Sequence, residues 1–324
     1  MKKNLLIIVL CILTLQLCAC TAGSILPNQP QAEKKIRIVA TIFPLYDWAR
    51  QILGDEVGQA ELTLLLSSKL DLHNYQPSVD DIVKISTCDL FIYVGGESDK
   101  WVNDALKTAN PHMITLNLLE VLGTEAKVEE VIAGMEMEEE ADSGAPALDE
   151  HVWLSLKNAG IFCAAISGAL SSLDPDNSAE YQNNMSAYAK KLSLLDESYR
   201  AVVDASSVKT LLFGDRFPFR YIMDDYGLAY YAAFAGCSAE TEASFDTVVF
   251  LANMVDKLNL RSVMVTESSD QAIAKTIISN TAAKNQQIFV LDAMQSVTAN
   301  EMQNGATYLS IMESNLTILK EALK

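Results

Sequence analysis

Ile36-Arg37-Ile38-Val39-Ala40-Thr41 is a short, largely apolar run, and Pro44 stands just beyond it. Such a run, rich in β-branched side chains, reads as a buried strand. Proline suits the first turn of a helix, where its fixed φ is already right and no N–H is needed, so a helix is expected over 44–53. The alternation then repeats. Strands are expected at 61–66, 89–94 and 112–116, with helices at 79–86 and 101–108. The third strand, Asp89-Leu90-Phe91-Ile92-Tyr93-Val94, closes on Gly95-Gly96. Strands alternating with helices argue for a parallel sheet wrapped on both faces.

The pattern breaks at 120–150, where Glu136, Glu138, Glu139, Glu140 and Asp142 mix with Gly134, Gly144 and Pro146. This reads as an acidic surface loop. Two helices follow, at 156–173 and 178–203, the second opened by Asp174-Pro175. At 1.5 Å per residue the second is about 39 Å long, enough to join two lobes. Strands at 208–213, 228–234, 262–266 and 287–291 then alternate with helices at 217–225, 245–258, 271–283 and 303–323. The expected fold is α/β. A parallel-sheet lobe over 36–175, carrying the acidic loop 120–150, is joined by a long rigid linking helix (176–206) to a second such lobe over 207–324.

The 324 residues are half hydrophobic and one-fifth charged, which excludes a disordered chain. Acidic residues outnumber basic ones 42 to 24, a net charge of −18, which argues against a nucleic-acid partner. Acidity suits attraction of cations and also serves solubility. Lys2 and Lys3 precede an apolar stretch over 5–17, with the length of a signal-peptide core rather than a membrane span. Leu17-Cys18-Ala19-Cys20 follows and looks like a bacterial lipobox, with a plain secretory signal as the alternative. The expected layout is a signal peptide over 1–19, lipidation at Cys20 and a flexible tether over 20–35. The location is then extracytoplasmic, anchored to a bacterial membrane by lipid. Cys88, Cys163 and Cys237 remain, without any C-x-x-C. They read as small buried hydrophobes, with a disulfide between two of them left open.

In parallel α/β sheets, ligands bind beyond the carboxyl ends of the strands. Thr41, His73, Gly95, Asp215, Glu267 and Asp292 stand just past such ends. The chain has only three His. His73 lies in a turn-rich loop followed by Asp80 and Asp81, and His151 follows Asp149-Glu150 where the acidic loop ends. His112, after Pro111 at a strand start, reads as structural. Histidine beside carboxylates suits a divalent cation: neutral imidazole favours Zn²⁺, and carboxylate also accepts harder ions such as Mn²⁺. H-E-x-x-H, G-x-G-x-x-G, a phosphate-binding G-x-x-x-x-G-K-[ST] and G-x-S-x-G do not occur.

His73-Asn74-Tyr75-Gln76-Pro77-Ser78-Val79-Asp80-Asp81 resembles the H-x-Y-x-P-x-x-x-D segment of zinc and manganese ABC-transporter solute-binding lipoproteins, and the chain is closest to their zinc type. Asp89 to Gly96 with Glu97 and Trp101, His151-Val152-Trp153-Leu154, Val265-Thr266-Glu267-Ser268-Ser269 and Gly305-Ala306-Thr307-Tyr308-Leu309-Ser310 are similar to further segments of that family. The resemblance covers about 36–323. It implies one metal held in a cleft between two lobes, delivery to a membrane permease, and no catalysis. A monomer is expected.

Carried over residue by residue, His73 and His151 are the first-lobe ligands. The family's third ligand position falls on Gly214, which has no side chain, and its fourth acidic position near Gln295. Asp215 and Glu267 therefore become the expected second-lobe ligands, and Glu240 an additional one. Arg216 and Arg220 offer Asp215 an ion-pairing role instead. Two His with two carboxylates would discriminate weakly between Zn²⁺ and Mn²⁺. The readings set against the receptor are a surface adhesin or structural lipoprotein with a degraded site and, more weakly, a metal-dependent hydrolase.

Overall fold

The apolar run that opens the fold is β1 (Ile36–Ala40). It is joined by β2 (Ala60–Leu64), β3 (Leu90–Tyr93) and β4 (Ile114–Asn117) in a parallel sheet ordered β2-β1-β3-β4. A second parallel sheet contains β5 (Thr210–Phe217), β6 (Ala229–Ala235), β7 (Ser262–Thr266) and β8 (Gln287–Leu291), ordered β6-β5-β7-β8. This is a computed structural model, and it describes residues 35–67, 72–136, 147–238 and 242–324. The lipobox, Cys20, Glu240 and the acidic run 138–142 lie outside the described residues.

All four residues of β3 and all five of β7 are buried, as expected of inner strands covered on both faces. In each sheet the winding direction changes, between β1 and β3 and between β5 and β7. The crevice beyond the carboxyl ends at such a switch point is where α/β sheets take ligands.

Helix Ser178–Ala205, 28 residues long, spans about 42 Å at 1.5 Å per residue. It buries Tyr181, Tyr188, Leu192, Leu195, Tyr199 and Val203. It packs against helices Phe43–Leu53 and Leu156–Leu173 on the side of the first sheet and against helix Tyr308–Ala322 on the side of the second. Asn184 Nδ2 donates to Ile52 O at 3.1 Å, and Tyr199 Oη donates to Met312 O at 2.6 Å. Helix Leu156–Leu173 has the length and hydropathy of a membrane span, but Leu156, Phe162, Cys163, Ile166 and Leu170 are core residues.

Asp47 is completely buried. Its carboxylate accepts from Arg50 Nη2 at 2.7 Å, Gln51 Nε2 at 3.3 Å and the backbone N–H of Tyr308 at 2.9 Å. Tyr308 Oη donates to Trp153 O at 2.7 Å, and Trp153 Nε1 donates to Ala293 O at 2.8 Å. These bonds fasten the first helix, the second-histidine motif and the final helix to one another.

Several segments differ from the sequence reading. The loop expected at 120–150 begins inside helix Leu118–Leu122, whose Asn117 cap accepts from Glu120 N, and it carries an antiparallel bridge between Val128 and Leu148. The helix expected at 303–323 divides into Ala299–Gln303 and Tyr308–Ala322, each opened by a capping box, on Thr298 and Thr307. Gly305, with φ of 95°, lies between them. Strand β5 runs on past 213 to Phe217, with a register shift between Phe213 and Arg216 that makes Gly214 and Asp215 an irregularity within the strand.

Candidate metal centre

His73 lies in the helical turn Leu72–Asn74 that follows β2, and His151 caps the turn Val152–Leu154. Their Nε2 atoms face each other at 3.3 Å. Cys237 enters from the second sheet, in the turn directly after β6, and the ligand atoms of the three side chains lie within 4.8 Å of one another. Among the described residues this is the one group with metal-holding geometry.

The surroundings orient both rings. Asp149 Oδ1 is 2.9 Å from His151 Nδ1. A carboxylate only accepts, so the proton sits on Nδ1 and the Nε2 lone pair points inward. Ser98 Oγ is 2.7 Å from His73 Nδ1, and Glu150 Oε2 is 3.6 Å from the same nitrogen. Ser98 N in turn donates to Glu150 Oε1 at 2.9 Å. Glu150 Oε2 is buried with no hydrogen-bond partner among the described residues, so a nearby cation would supply the positive charge it lacks.

Electrostatics follow from this acidic shell. His151 is wholly buried, and desolvation alone would lower its pKa. The hydrogen bond and charge of Asp149, with Glu150 and Glu129, outweigh burial and raise it. Burial raises the Glu150 carboxyl, against the hydrogen bonds from Ser98. The Cys237 thiol is pushed well above its ordinary value by burial and then by Glu129, Glu150 and Asp149. A divalent ion would reverse that balance, because a coordinating thiol is deprotonated.

Asp215 and Glu267 are not members of this group. Asp215 Oδ2 accepts from Thr266 N at 2.9 Å and Thr266 Oγ1 at 2.8 Å, and its Oδ1 accepts from Arg216 N at 2.8 Å. Glu267 accepts from Ala293 N at 2.9 Å and Gln295 N at 3.0 Å. Each carboxylate thus binds backbone N–H groups at neighbouring strand exits. Arg220 pairs with Glu130 and Asp224. A Cβ at Gly214 would stand 2.7 Å from Ala274 Cα, so the helix Ala272–Asn280 closes that position to any side chain. Gln295 is buried. Glu240 lies outside the described residues.

Cys237, expected from the sequence to be a small buried hydrophobe, instead stands with the two histidines. The three cysteines are free thiols; Cys88 and Cys163 are fully buried, while Cys237 is part-exposed beside two histidines. Its signal was its place just beyond the carboxyl end of β6.

Residues 38–322 match the family profile described as zinc-uptake complex component A, periplasmic. The chain belongs to the zinc-uptake complex component A family. That is a family of metal-binding receptors and not of enzymes. The chain is 30% identical over 326 residues to zinc-binding lipoprotein AdcA of Streptococcus pneumoniae serotype 4, covering 99% of this chain and 61% of that protein. The chain therefore spans under two thirds of the length of that relative. It is 29% identical to the high-affinity zinc uptake system protein ZnuA of Bacillus subtilis, covering 97% of it. The Zn(II)-bound ZnuA-like domain of S. pneumoniae AdcA superposes with a TM-score of 0.69 at 28% identity, over 89% of this chain and 99% of that one. The laminin-binding protein Lmb of Streptococcus agalactiae shares the fold, with a TM-score of 0.71 at 21% identity.

Proposed function

We propose that this chain captures Zn²⁺ outside the cytoplasm and hands it to the permease of an ABC importer. The observation that carries the reading is the convergence of one ring nitrogen each from His73 and His151 with Cys237 Sγ, from both sheets, within 4.8 Å. Two imidazoles and one thiolate form a soft set that suits Zn²⁺ and disfavours Mn²⁺. This differs from the two-His, two-carboxylate set expected from the sequence, and it predicts sharper discrimination. The kinship to zinc-binding AdcA and to the zinc uptake protein ZnuA supports the same cargo. The lobes over 36–175 and 207–324, joined by the helix over 176–206, are the units that would enclose the ion. We further propose that Cys20 carries the lipid anchor, in line with the relative named a lipoprotein, and that the receptor acts as a monomer.

Competition titration with a chromogenic chelator tests this reading. The parent protein binds one Zn²⁺ per chain and holds Mn²⁺ at least about a hundredfold more weakly. His73→Ala, His151→Ala and Cys237→Ser each weaken Zn²⁺. Equal affinity for Zn²⁺ in all four proteins would sink the assignment.

A further inference from the structure

Segment 127–136 leaves the first sheet and runs onto the second. Lys127 N donates to Tyr221 Oη at 2.9 Å, and Arg220 donates to Val128 O. Tyr230 Oη donates to Glu130 Oε2 at 3.2 Å. Glu136 N donates to Ala233 O on the edge strand β6 at 2.9 Å, and Glu136 Oε1 accepts from Ser244 N at 2.6 Å.

The near end of this segment is also half of a small antiparallel ribbon. Val128 bridges Leu148; Glu129 N donates to Ala147 O at 2.8 Å, and Asp149 N donates to Lys127 O at 2.8 Å. The 147–149 strand of the ribbon leads directly into Glu150 and His151. From the other strand, the Glu129 carboxylate accepts from the backbone N–H of Cys237 at 3.1 Å. One ribbon therefore holds a histidine by covalent continuity and a cysteine by a hydrogen bond, although they belong to different halves of the chain.

From this geometry we infer that Glu129 is a positioning residue of the metal site, holding the Cys237 turn so that Sγ meets the two histidine nitrogens. The inference rests on the proposed His73, His151 and Cys237 ligand set. A carboxylate bonded to the main chain of a ligand residue fixes its Cα–Cβ direction, and such supporting bonds typically change metal affinity by about 10–100-fold. In this role Glu129 acts through the backbone of the residue that supplies the sulfur. The first-sheet half of the molecule would thus set the aim of the second-sheet ligand before any ion arrives.

Co²⁺ is the probe, because cobalt bound to thiolate shows a sulfur-to-metal charge-transfer absorption that nitrogen and oxygen ligands do not give. The full chain shows the band, and Cys237→Ser abolishes it. Glu129→Ala, which removes the acceptor, loses at least half of the band at saturating Co²⁺ and binds about tenfold more weakly. Glu129→Gln, whose amide oxygen still accepts from Cys237 N, restores both. Glu129→Asp keeps the charge but withdraws the acceptor by one methylene, and it falls between parent and alanine; it carries the test if the alanine variant does not fold. A parental band and affinity in both Glu129→Ala and Glu129→Asp overturn the inference and leave the ligand set standing. Absence of the band in the parent overturns the cysteine ligand itself, and the inference with it.

Discussion

His73 Nε2 stands 3.3 Å from His151 Nε2, across 78 positions of sequence. At that distance one neutral ring donates to the other, and a cation that binds both nitrogens takes the place of the shared proton. Zn²⁺ should therefore stabilise the fold, since only the folded chain brings the two rings together. At a hundred times Kd the gain is about 2.7 kcal/mol. Thermal melts with added Zn²⁺, and again after chelation, check this. An unchanged midpoint would mean the pair is a structural contact.

The Cys237 thiol is raised by burial and by Glu129, Glu150 and Asp149, so it is protonated at neutral pH in the metal-free protein. Binding must expel that proton. Affinity for Zn²⁺ then rises with pH between about 6 and 8, by up to about tenfold per pH unit for one released proton. Titrations in buffers of different ionisation enthalpy count the protons released. In Cys237→Ser the slope is shallower. Equal slopes in the two proteins would exclude thiolate coordination.

Much of the fold was legible because buried parallel strands are continuous apolar runs. Ser262–Thr266 and Gln287–Leu291 match the expected strands residue for residue, and Phe245–Leu258 the expected helix. The extension of β5 was not legible, because Gly214 and Asp215 break the apolar run while the backbone goes on pairing with β6. At the site, the scarcity of histidine made His73 and His151 conspicuous. Cys237 was hidden by composition, since an isolated cysteine resembles any small core residue. Asp215 and Glu267 stood out by position, and nothing in the sequence shows that backbone N–H groups of Thr266, Ala293 and Gln295 meet them.

Gly236 packs against the His151 ring. A Cβ there would lie 2.9 Å from His151 Cε1 and 2.8 Å from Phe217 O. The backbone oxygen cannot yield, so Gly236→Ala displaces the ring or the turn. Zn²⁺ affinity falls by about tenfold or more, and the metal-free protein loses about 1–3 kcal/mol to the same overpacking. Calorimetric titration beside a thermal melt separates the two effects. Parental affinity would show that the turn relaxes without moving His151.

Asp292 is pushed up to about 7, chiefly by burial and then by the charge of Glu267. Its unfolded value is 3.8. A raised carboxyl contributes most to stability below the unfolded value, and that contribution is lost as pH rises through the folded one. Asp292→Asn keeps an acceptor for Met294 N but cannot ionise. The variant and the parent therefore match near pH 4. The variant gains on the parent from pH 4 to 7 and holds a constant lead above that. Urea melts at pH 4, 5.5 and 8 measure the gap. A gap independent of pH would place the carboxyl's titration elsewhere.

Asp47 and Tyr308 are 261 positions apart, yet one hydrogen bond joins them. As the chain is synthesised, the first sheet and its covering helix are complete long before Tyr308 exists. During that interval the buried carboxylate lacks the Tyr308 N–H, and Trp153 lacks both Ala293 O and the Tyr308 hydroxyl. The His151 turn is anchored through Trp153, so its final geometry waits for the last helix to dock. Contacts of such long range slow folding, because loop closure must come before their reward. Ion capture thereby waits until the chain through Tyr308 has been made and docked, and a nascent chain short of that point lacks the bonds that set the His151 turn.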